Sequence, residues 1–428
     1  MKKIVHDLLK EELYYDKLEN GLELFYMPKK GFSKQYAVFS TRYGSNDLEF
    51  IPVGQKERIR VNEGIAHFLE HKVFEQPDGT NAFDKFSKYG ASANAYTNFT
   101  TTSYLFSSTD NFYDSLAHLV DYVQHPHFTD ENVEKEKGII AQEIKMYDDN
   151  PDWKVYFNTL KAMYIKHPIN IDIAGTVESI YKITKEELYD CYNTFYNPYN
   201  MSIFVVGDLD FDKIKETVID NLRTDIPVIE NIERFYPVEP DGVNMKEIVE
   251  TLDVSLPLFN IGFKDIQIGL SGRELLKREI TTDLIIDMLF KKGSEFYKEL
   301  YNDNLVNDSF SGDYTGRYDH GYTLIGGESK DPYEVKDRLF NYIEKIKEDG
   351  FKEEQFEIIK KRYLGGYLKY FDSLDFIANN FISYHFKDIN LLDYIDVVKE
   401  ITIDDIKNRF VEHFTKDNTV ISIVNPKE

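Results

Sequence analysis

The chain has 428 residues, enough for two or three domains, and 42% of them are hydrophobic, which is ample for packed cores. The formal net charge is −24, from 75 Asp and Glu against 51 Lys and Arg, and the sequence offers no basic patch, so we expect no nucleic-acid partner. The single cysteine, Cys191, excludes an intrachain disulfide framework.

The N-terminal region predicts strands rather than a targeting segment. No apolar run follows Met1-Lys2-Lys3, as a secretory signal would require, and no stretch reaches the length of a membrane helix. The sequence therefore predicts a cytoplasmic protein without a membrane partner. Two segments, 14–18 and 22–26, flank Asn20-Gly21, a strong turn signal, and predict a β-hairpin.

The next element is a predicted helix that contains His67-Phe-Leu-Glu70-His71, a His-x-x-Glu-His motif. Asn62 is expected to cap this helix. Residues four apart share a helix face, so His67 and His71 can bind one metal ion, and Glu70 can take a proton from a metal-bound water. Two imidazoles and an open position suit catalytic zinc, which also needs a third protein ligand. An amphipathic helix with two surface histidines remains the alternative at this point.

Further elements follow along the first half. A helix is predicted near 81–89, two paired strands at 90–98 and 101–106, and a helix over 112–123. These alternating strands and helices indicate a mixed α+β unit.

A second candidate segment begins after Thr129, the predicted cap of a helix that contains Glu136 and Glu143. Seven residues make two helical turns, which places both carboxylates on one face, about 10 Å apart along the axis. The pair Ile139-Ile140 indicates that this face is partly buried, where a carboxylate needs a metal or a charged partner. Taken alone, the segment is better explained as an ordinary acidic helix.

Together the two segments resemble the pitrilysin/insulinase family of inverted zincin metallopeptidases. The segment Gly64–Phe74, with the pattern Gly-x-x-His-Phe-Leu-Glu-His-x-x-Phe, and the Glu-x6-Glu pair about seventy residues later are similar to the short bacterial branch that resembles the mitochondrial processing peptidase. The resemblance implies a fold of two homologous, duplicated α/β-sandwich halves.

The resemblance also implies roles for individual residues. His67, His71 and Glu143 would bind one zinc ion per chain, and Glu70 would act as the general base. Glu136 would be a second carboxylate that steadies the site.

A substrate-binding strand is a further implication of the resemblance. The strand with Asn94, Ala95 and Thr97 would be a sheet edge that pairs with the main chain of an extended peptide. Larger relatives use an Arg and a Tyr to hold the substrate and the developing oxyanion. Arg317 and Tyr322 lie in about the right region, and either this pair or one from a partner chain could take that role.

The second half of the chain repeats the first. Residues 183–206 align with 401–424 at an offset of 218, and the helix after Phe128 aligns with the one after Phe351 at an offset of 223. Such self-similarity indicates a duplicated unit of roughly 210 residues.

The repeat predicts the domain organisation. We expect an N-terminal metal-binding domain at 1–223, a linker rich in proline and glycine at 224–244, and a homologous C-terminal domain at 245–428 that lacks the His-x-x-Glu-His motif.

The leading hypothesis is a zinc-dependent metalloendopeptidase that hydrolyses short or unfolded peptides, with Glu70 as general base. The alternative is a non-hydrolytic or partner-dependent peptide-binding subunit of a heterodimeric peptidase. The resemblance implies two chains around a chamber, as a homodimer or as a heterodimer with a related chain.

Overall fold

The computed structural model describes residues 2–227 and 229–427, so Val228 in the predicted linker lies outside the described residues. The strands, in chain order, are β1 Lys2–His6, β2 Glu11–Lys17, β3 Glu23–Pro28, β4 Gln35–Thr41, β5 Glu49–Phe50, β6 Ile59–Arg60, β7 Ser92–Thr97, β8 Thr102–Ser108, β9 Met201–Gly207, β10 Glu247–Leu252, β11 Leu258–Lys264, β12 Ser311–Gly316, β13 Gly321–Glu328 and β14 Thr419–Pro426. The helices are α1 Ile65–Val73, α2 Ala82–Tyr89, α3 Phe112–Gln124, α4 Asp130–Asp148, α5 Pro151–Met163, α6 Val177–Ile180, α7 Lys185–Phe195, α8 Phe211–Asp220, α9 Gly272–Leu289, α10 Glu295–Asn302, α11 Pro332–Asp349, α12 Glu353–Tyr370, α13 Leu374–His385, α14 Tyr394–Glu400 and α15 Ile403–His413. Within the described residues, no helix combines the length and the hydrophobicity needed to cross a bilayer.

The chain forms two compact units. Unit 1 comprises Met1–Ile144, Ile171–Tyr236 and Tyr370–Phe386, and unit 2 comprises Lys145–Asn170, Pro237–Lys369 and Lys387–Glu428. This division differs from the continuous domains 1–223 and 245–428 that the sequence predicted. Each unit includes one helix from the other half of the sequence: α13 packs on β9 and β4 in unit 1, and α5 packs on β11 and β14 in unit 2. The predicted linker is also divided, because its residues before Pro237 belong to unit 1.

Unit 1 is built on a seven-stranded sheet in the order β1-β2-β3-β9-β4-β8-β7. The predicted hairpin is confirmed, since β2 and β3 pair antiparallel with Tyr14 opposite Tyr26. Strands β3 and β9 are parallel, whereas β4 is antiparallel to both β9 and β8. Strand β7 forms one edge of this sheet, so one side of its backbone has no neighbouring strand among the described residues.

Unit 2 repeats this topology with a five-stranded sheet in the order β10-β14-β11-β13-β12. The parallel pair β10 and β14 corresponds to β3 and β9, and the edge strand β12 corresponds to β7. The predicted duplicated α+β fold is therefore confirmed. Helix α12 is the counterpart of α4, and at the offset of 223 it has Ile359 and Gly366 where α4 has Glu136 and Glu143.

A buried histidine in unit 2 predicts how stability depends on pH. His413 is 2% exposed, and burial together with the positive charge of Arg409 lowers its pKa to about 3. An unfolded chain binds a proton at this histidine below a pH of about 6.5, whereas the folded chain does not until the pH is near 3. The free energy of unfolding therefore falls as the pH is lowered from about 6.5, by up to about 1.4 kcal/mol per pH unit from this residue.

This prediction is tested by urea unfolding at pH 6.5 and 4.5 of the wild type and His413→Gln. The single tryptophan, Trp153, lies in α5 of unit 2 and reports on this unit by fluorescence. We expect a smaller loss of stability between the two pH values in the variant, since glutamine does not titrate. An equal loss in both proteins would show that His413 does not contribute.

Candidate metal centre

Helix α1 begins at a glycine rather than at the predicted Asn62 cap. Gly64 precedes the helix with a left-handed φ of 87°, and a Cβ there would lie 2.4 Å from the Ala174 carbonyl oxygen. No side-chain hydrogen bond caps the helix at this residue, and the Asn62 side chain instead donates to Glu187 at 2.8 Å. The Asn62 prediction is wrong because a positive φ and a close backbone approach, both suited to glycine, fix the start of the helix.

Most of the motif of α1 is buried in unit 1, and His71 is half-buried. Phe68 and Leu69 are fully buried, and His67 and Glu70 are each only 8% exposed. Burial of His67 and Glu70 on one short helix, beside a partly buried His71, costs free energy unless the groups are paired or bind a metal ion. The alternative of two surface histidines is therefore incompatible with the burial of His67.

Helix α4 provides the carboxylates that face α1. Its start is fixed by a reciprocal pair of hydrogen bonds: the Thr129 N–H donates to the Asn132 side chain, and the Asn132 N–H donates to the Thr129 hydroxyl. The predicted Thr129 cap is thus confirmed. Two turns apart on α4, Glu136 and Glu143 both reach the motif histidines.

The three predicted ligand residues converge on one point. His67 Nε2 lies 3.7 Å from Glu143 Oε1, and His71 Nε2 lies 3.5 Å from Glu143 Oε2. Ligand atoms of a tetrahedral zinc ion, with bonds of about 2.0 to 2.1 Å, are separated by about 3.4 Å. The donor set and its spacing fit such an ion.

Glu136 determines the orientation of His71. The His71 Nδ1–H donates to Glu136 Oε1 at 3.0 Å. With Nδ1 protonated, Nε2 faces the Glu143 carboxylate, and either a second proton or a cation must lie between these two atoms. Hydrogen bonding of one imidazole nitrogen to a carboxylate is typical of metal-binding histidines.

The two histidines differ in their protonation. Burial and the neighbouring His71 lower the pKa of His67 to about 4, which leaves its ring neutral and able to bind a metal ion. Burial acts in the same direction on His71, but the hydrogen bond to Glu136 and the charge of Glu143 outweigh it and raise the pKa of that ring. Of the two rings, His71 is therefore the one whose protonated form is the more favoured.

Glu70 lies on the same helix as the two histidines and is the candidate general base. It is 8% exposed, and burial raises its pKa above the ordinary range of a glutamate. A raised pKa is the property that a general base near neutral pH requires. Its Oε2 accepts a hydrogen bond of 2.6 Å from the Thr97 hydroxyl at the end of β7.

The predicted substrate residues lie on the edge strand β7. The Ala95 N–H donates to the Asn94 side chain at 2.9 Å, and the Thr97 side chain points to Glu70. A cavity of about 460 Å³ adjoins the strand and the motif. Its lining residues include Glu70, His71, Phe74, Phe83, Asn94, Ala95 and Ile139. Their role in substrate binding stays a prediction.

A buried lysine, which the sequence reasoning missed, borders the site. Lys72 is fully buried, forms an ion pair with Glu75, and has its Nζ 3.3 Å from the Asn132 carbonyl oxygen and 3.9 Å from Glu136 Oε2. The sequence did contain a signal for it, because Lys72 lies within the apolar run of α1. A lysine in such a position is almost never fully buried unless it is paired.

A second cluster of two histidines and an aspartate lies in unit 2, and its geometry fits a hydrogen-bonded group better than a metal site. The side chains of His167 and His320 donate to the two Asp319 oxygens at 3.1 and 2.8 Å. The Ile169 N–H donates to His167 Nδ1 at 3.2 Å, so His167 Nε2 must carry the hydrogen and has no lone pair for a metal.

Tyr322, which the resemblance suggested as an assisting residue together with Arg317, is buried in unit 2. Its hydroxyl shares a hydrogen bond of 2.7 Å with the Tyr156 hydroxyl. The backbone N–H of Arg317 donates to the His320 carbonyl oxygen at 2.8 Å, which closes the turn before β13. Catalytic assistance by this pair stays a prediction.

A duplicated α+β fold in which one copy holds a His-x-x-Glu-His helix against a helix with two glutamates defines a metallopeptidase-like protein. Comparison with known proteins agrees. Residues 50–177 match the family model for insulinase (peptidase family M16), and residues 182–363 match the model for the peptidase M16 inactive domain. A Bacillus subtilis (strain 168) protein named uncharacterized zinc protease YmfH is 44% identical over 431 residues, covering 100% of both chains.

Solved structures give the same result. A putative M16-like peptidase from Alicyclobacillus acidocaldarius superimposes with a TM-score of 0.93 at 39% identity, covering 97% of this chain and 99% of that one. A protease from Helicobacter pylori shares the fold, with a TM-score of 0.83 at 20% identity over 97% of this chain and all of that one. The chain belongs to peptidase family M16, the pitrilysin/insulinase family.

Proposed function

We propose that the protein is a zinc-dependent metalloendopeptidase that hydrolyses short or unfolded peptides. The observation that carries this proposal is the convergence of His67, His71 and Glu143 at ligand spacing beside the buried carboxylate of Glu70. The names of relatives, which include zinc proteases, support the same metal. When bound, zinc supplies the Lewis acidity that lowers the pKa of a water molecule and polarises a peptide carbonyl.

The residues of the site have different roles in the proposed reaction. Glu70 accepts the proton of the attacking water and then donates it to the amine of the leaving peptide. His67, His71 and Glu143 hold the ion, and Glu136 fixes the ring of His71 through its Nδ1–H. The proposed reaction requires no cofactor besides zinc.

The edge of the sheet in unit 1 suits an extended peptide. A peptide would pair with β7 along the side that has no neighbouring strand among the described residues, and main-chain pairing tolerates varied side chains. The Asn94 side chain occupies the Ala95 N–H in the absence of a peptide, so a substrate carbonyl would displace it. A partner chain, as a homodimer or a heterodimer, is part of this proposal only by analogy with the family.

The direct test is the zinc content of the purified chain and its hydrolysis of a mixed set of quenched fluorescent peptides, with and without a chelator. One zinc per chain with chelator-sensitive cleavage is the expected result. One zinc without cleavage, alone or with candidate partner chains, would favour a non-hydrolytic peptide-binding subunit. Absence of zinc would contradict the proposal.

Replacing Glu136 by glutamine is expected to lower zinc affinity about 10- to 100-fold, because the His71 ring loses its charged acceptor. Competition with a chromophoric chelator measures this affinity. Glu134→Gln is the matched control, since Glu134 lies on the same helix and pairs with Lys137 away from the histidines. Equal affinities in the two variants would show that Glu136 does not support the site.

A further inference from the structure

We propose that Thr97 is a positioning residue that holds the Glu70 carboxylate in its working orientation, so that the strand expected to bind the peptide also sets the general base. This inference rests on the proposed peptidase function and deepens it. It assigns to the Thr97 side chain a role that differs from contact with the substrate.

The contact itself is short and direct. The Thr97 hydroxyl donates to Glu70 Oε2 at 2.6 Å, and Glu70 is 8% exposed. Among the residues that the structure describes, Thr97 is the one hydrogen-bond donor to this carboxylate. A bond to Oε2 fixes the rotation of the carboxylate and leaves Oε1 to take a proton.

A neighbouring threonine also contacts the Thr97 hydroxyl. Thr102 is fully buried, and its hydroxyl donates to the Tyr43 carbonyl oxygen at 2.9 Å and lies 3.2 Å from the Thr97 hydroxyl. Each hydroxyl has a single hydrogen. Since the Thr102 hydrogen goes to Tyr43, Thr102 does not donate to Thr97. The Thr97 hydrogen goes to the nearer acceptor, the Glu70 carboxylate at 2.6 Å.

The end of β7 is held firmly enough to position another side chain. In the turn that follows, Asn98 Oδ1 accepts from the N–H groups of Thr100 and Thr101, each at 2.9 Å. The Ser45 N–H donates to the Asn98 carbonyl oxygen at 3.1 Å. Gly44 packs so closely that a Cβ there would lie 2.3 Å from the Thr100 nitrogen. These contacts hold the turn in place and thereby fix the backbone at the end of β7.

The consequence is a link between substrate binding and chemistry. Glu70 is on helix α1, whereas Thr97 is on the edge strand, which has no neighbouring strand on one side among the described residues. A peptide paired along β7 would therefore lie on the same strand that orients the base. Loss of the hydroxyl should therefore slow the chemical step without weakening the binding of peptide or zinc.

The test compares Thr97→Val, which keeps the shape but removes the hydroxyl, with Thr97→Ser, which keeps the hydroxyl. Thr100→Val is the matched control. It removes a threonine hydroxyl in the neighbouring turn, where the hydroxyl makes only a long contact of 3.5 Å with Asn98 Oδ1. We expect kcat of Thr97→Val to fall about 10-fold or more, with KM and zinc content near wild type. Thr97→Ser should remain within about threefold of wild type.

A raised KM with unchanged kcat in Thr97→Val would overturn the proposal, since that split indicates contact with the substrate. Crystal structures of both zinc-loaded variants add a measurement that is independent of turnover. The Glu70 side chain should keep its wild-type rotamer in Thr97→Ser and should rotate in Thr97→Val. An unmoved Glu70 in Thr97→Val would also overturn the proposal. If the wild type hydrolyses no peptide, the proposed function fails, and the structures still decide whether Thr97 positions Glu70.

Discussion

Replacing Glu70 by glutamine is expected to abolish peptide hydrolysis while leaving zinc bound. The amide has the shape of the carboxylate and can keep the hydrogen bond from Thr97, but it cannot accept a proton. General base catalysis contributes about 10²- to 10⁴-fold to the rate, so kcat should fall at least about 100-fold. The measurement is steady-state hydrolysis of a quenched peptide, together with zinc content of the same preparation.

The control for this variant is Glu63→Gln, one residue before Gly64, where the side chain lies 3.8 Å from Arg60. It should hydrolyse peptides at about the wild-type rate. Persistent turnover in Glu70→Gln would show that another group accepts the proton. Loss of zinc from that variant would instead indicate that Glu70 supports the ligands.

Replacing Glu143 by glutamine should have the largest effect on metal binding. Its two carboxylate oxygens lie 3.7 Å from His67 Nε2 and 3.5 Å from His71 Nε2, so the change removes one of the three proposed ligands and the negative charge between two imidazoles. Loss of an outer carboxylate costs about 10- to 100-fold in affinity, and loss of a direct ligand should cost more than about 100-fold. Hydrolysis should disappear at zinc concentrations that saturate the wild type.

Glu131→Gln, an exposed position in the first turn of the same helix, is the matched control. It should bind zinc like the wild type. Restoration of hydrolysis in Glu143→Gln by excess zinc is compatible with the ligand role, because it follows from weakened affinity. Unchanged affinity would contradict that role and would require a different third ligand.

Local patterns predicted most of the elements of unit 1. The Asn20-Gly21 turn and its flanking segments give the β2–β3 hairpin, and Thr129 begins α4 through side-chain bonds within one turn. These features depend on residues close in sequence, whose preferences act before the chain is packed. The duplication was also visible, because repeated spacing survives in the sequence of the second half, where the residues of the candidate metal centre do not.

Other features depend on contacts between distant segments. Gly64 starts α1 because its backbone lies against Ala174, more than a hundred residues later, and no local pattern shows this. The placement of α13 in unit 1 and α5 in unit 2 follows from which sheet buries each apolar face. Such packing choices are set by tertiary burial rather than by helix propensity.

By itself the sequence determined the chemical types of the site and their spacing along two helices, because four- and seven-residue periods place side chains on one face. Only the tertiary structure decided that α1 and α4 face each other, which brings Glu143 between His67 and His71. It also decided that Thr97 bonds to Glu70, since that contact joins a strand to a helix and depends on how the sheet packs. Long-range packing therefore brings two separate motifs together in one candidate metal centre.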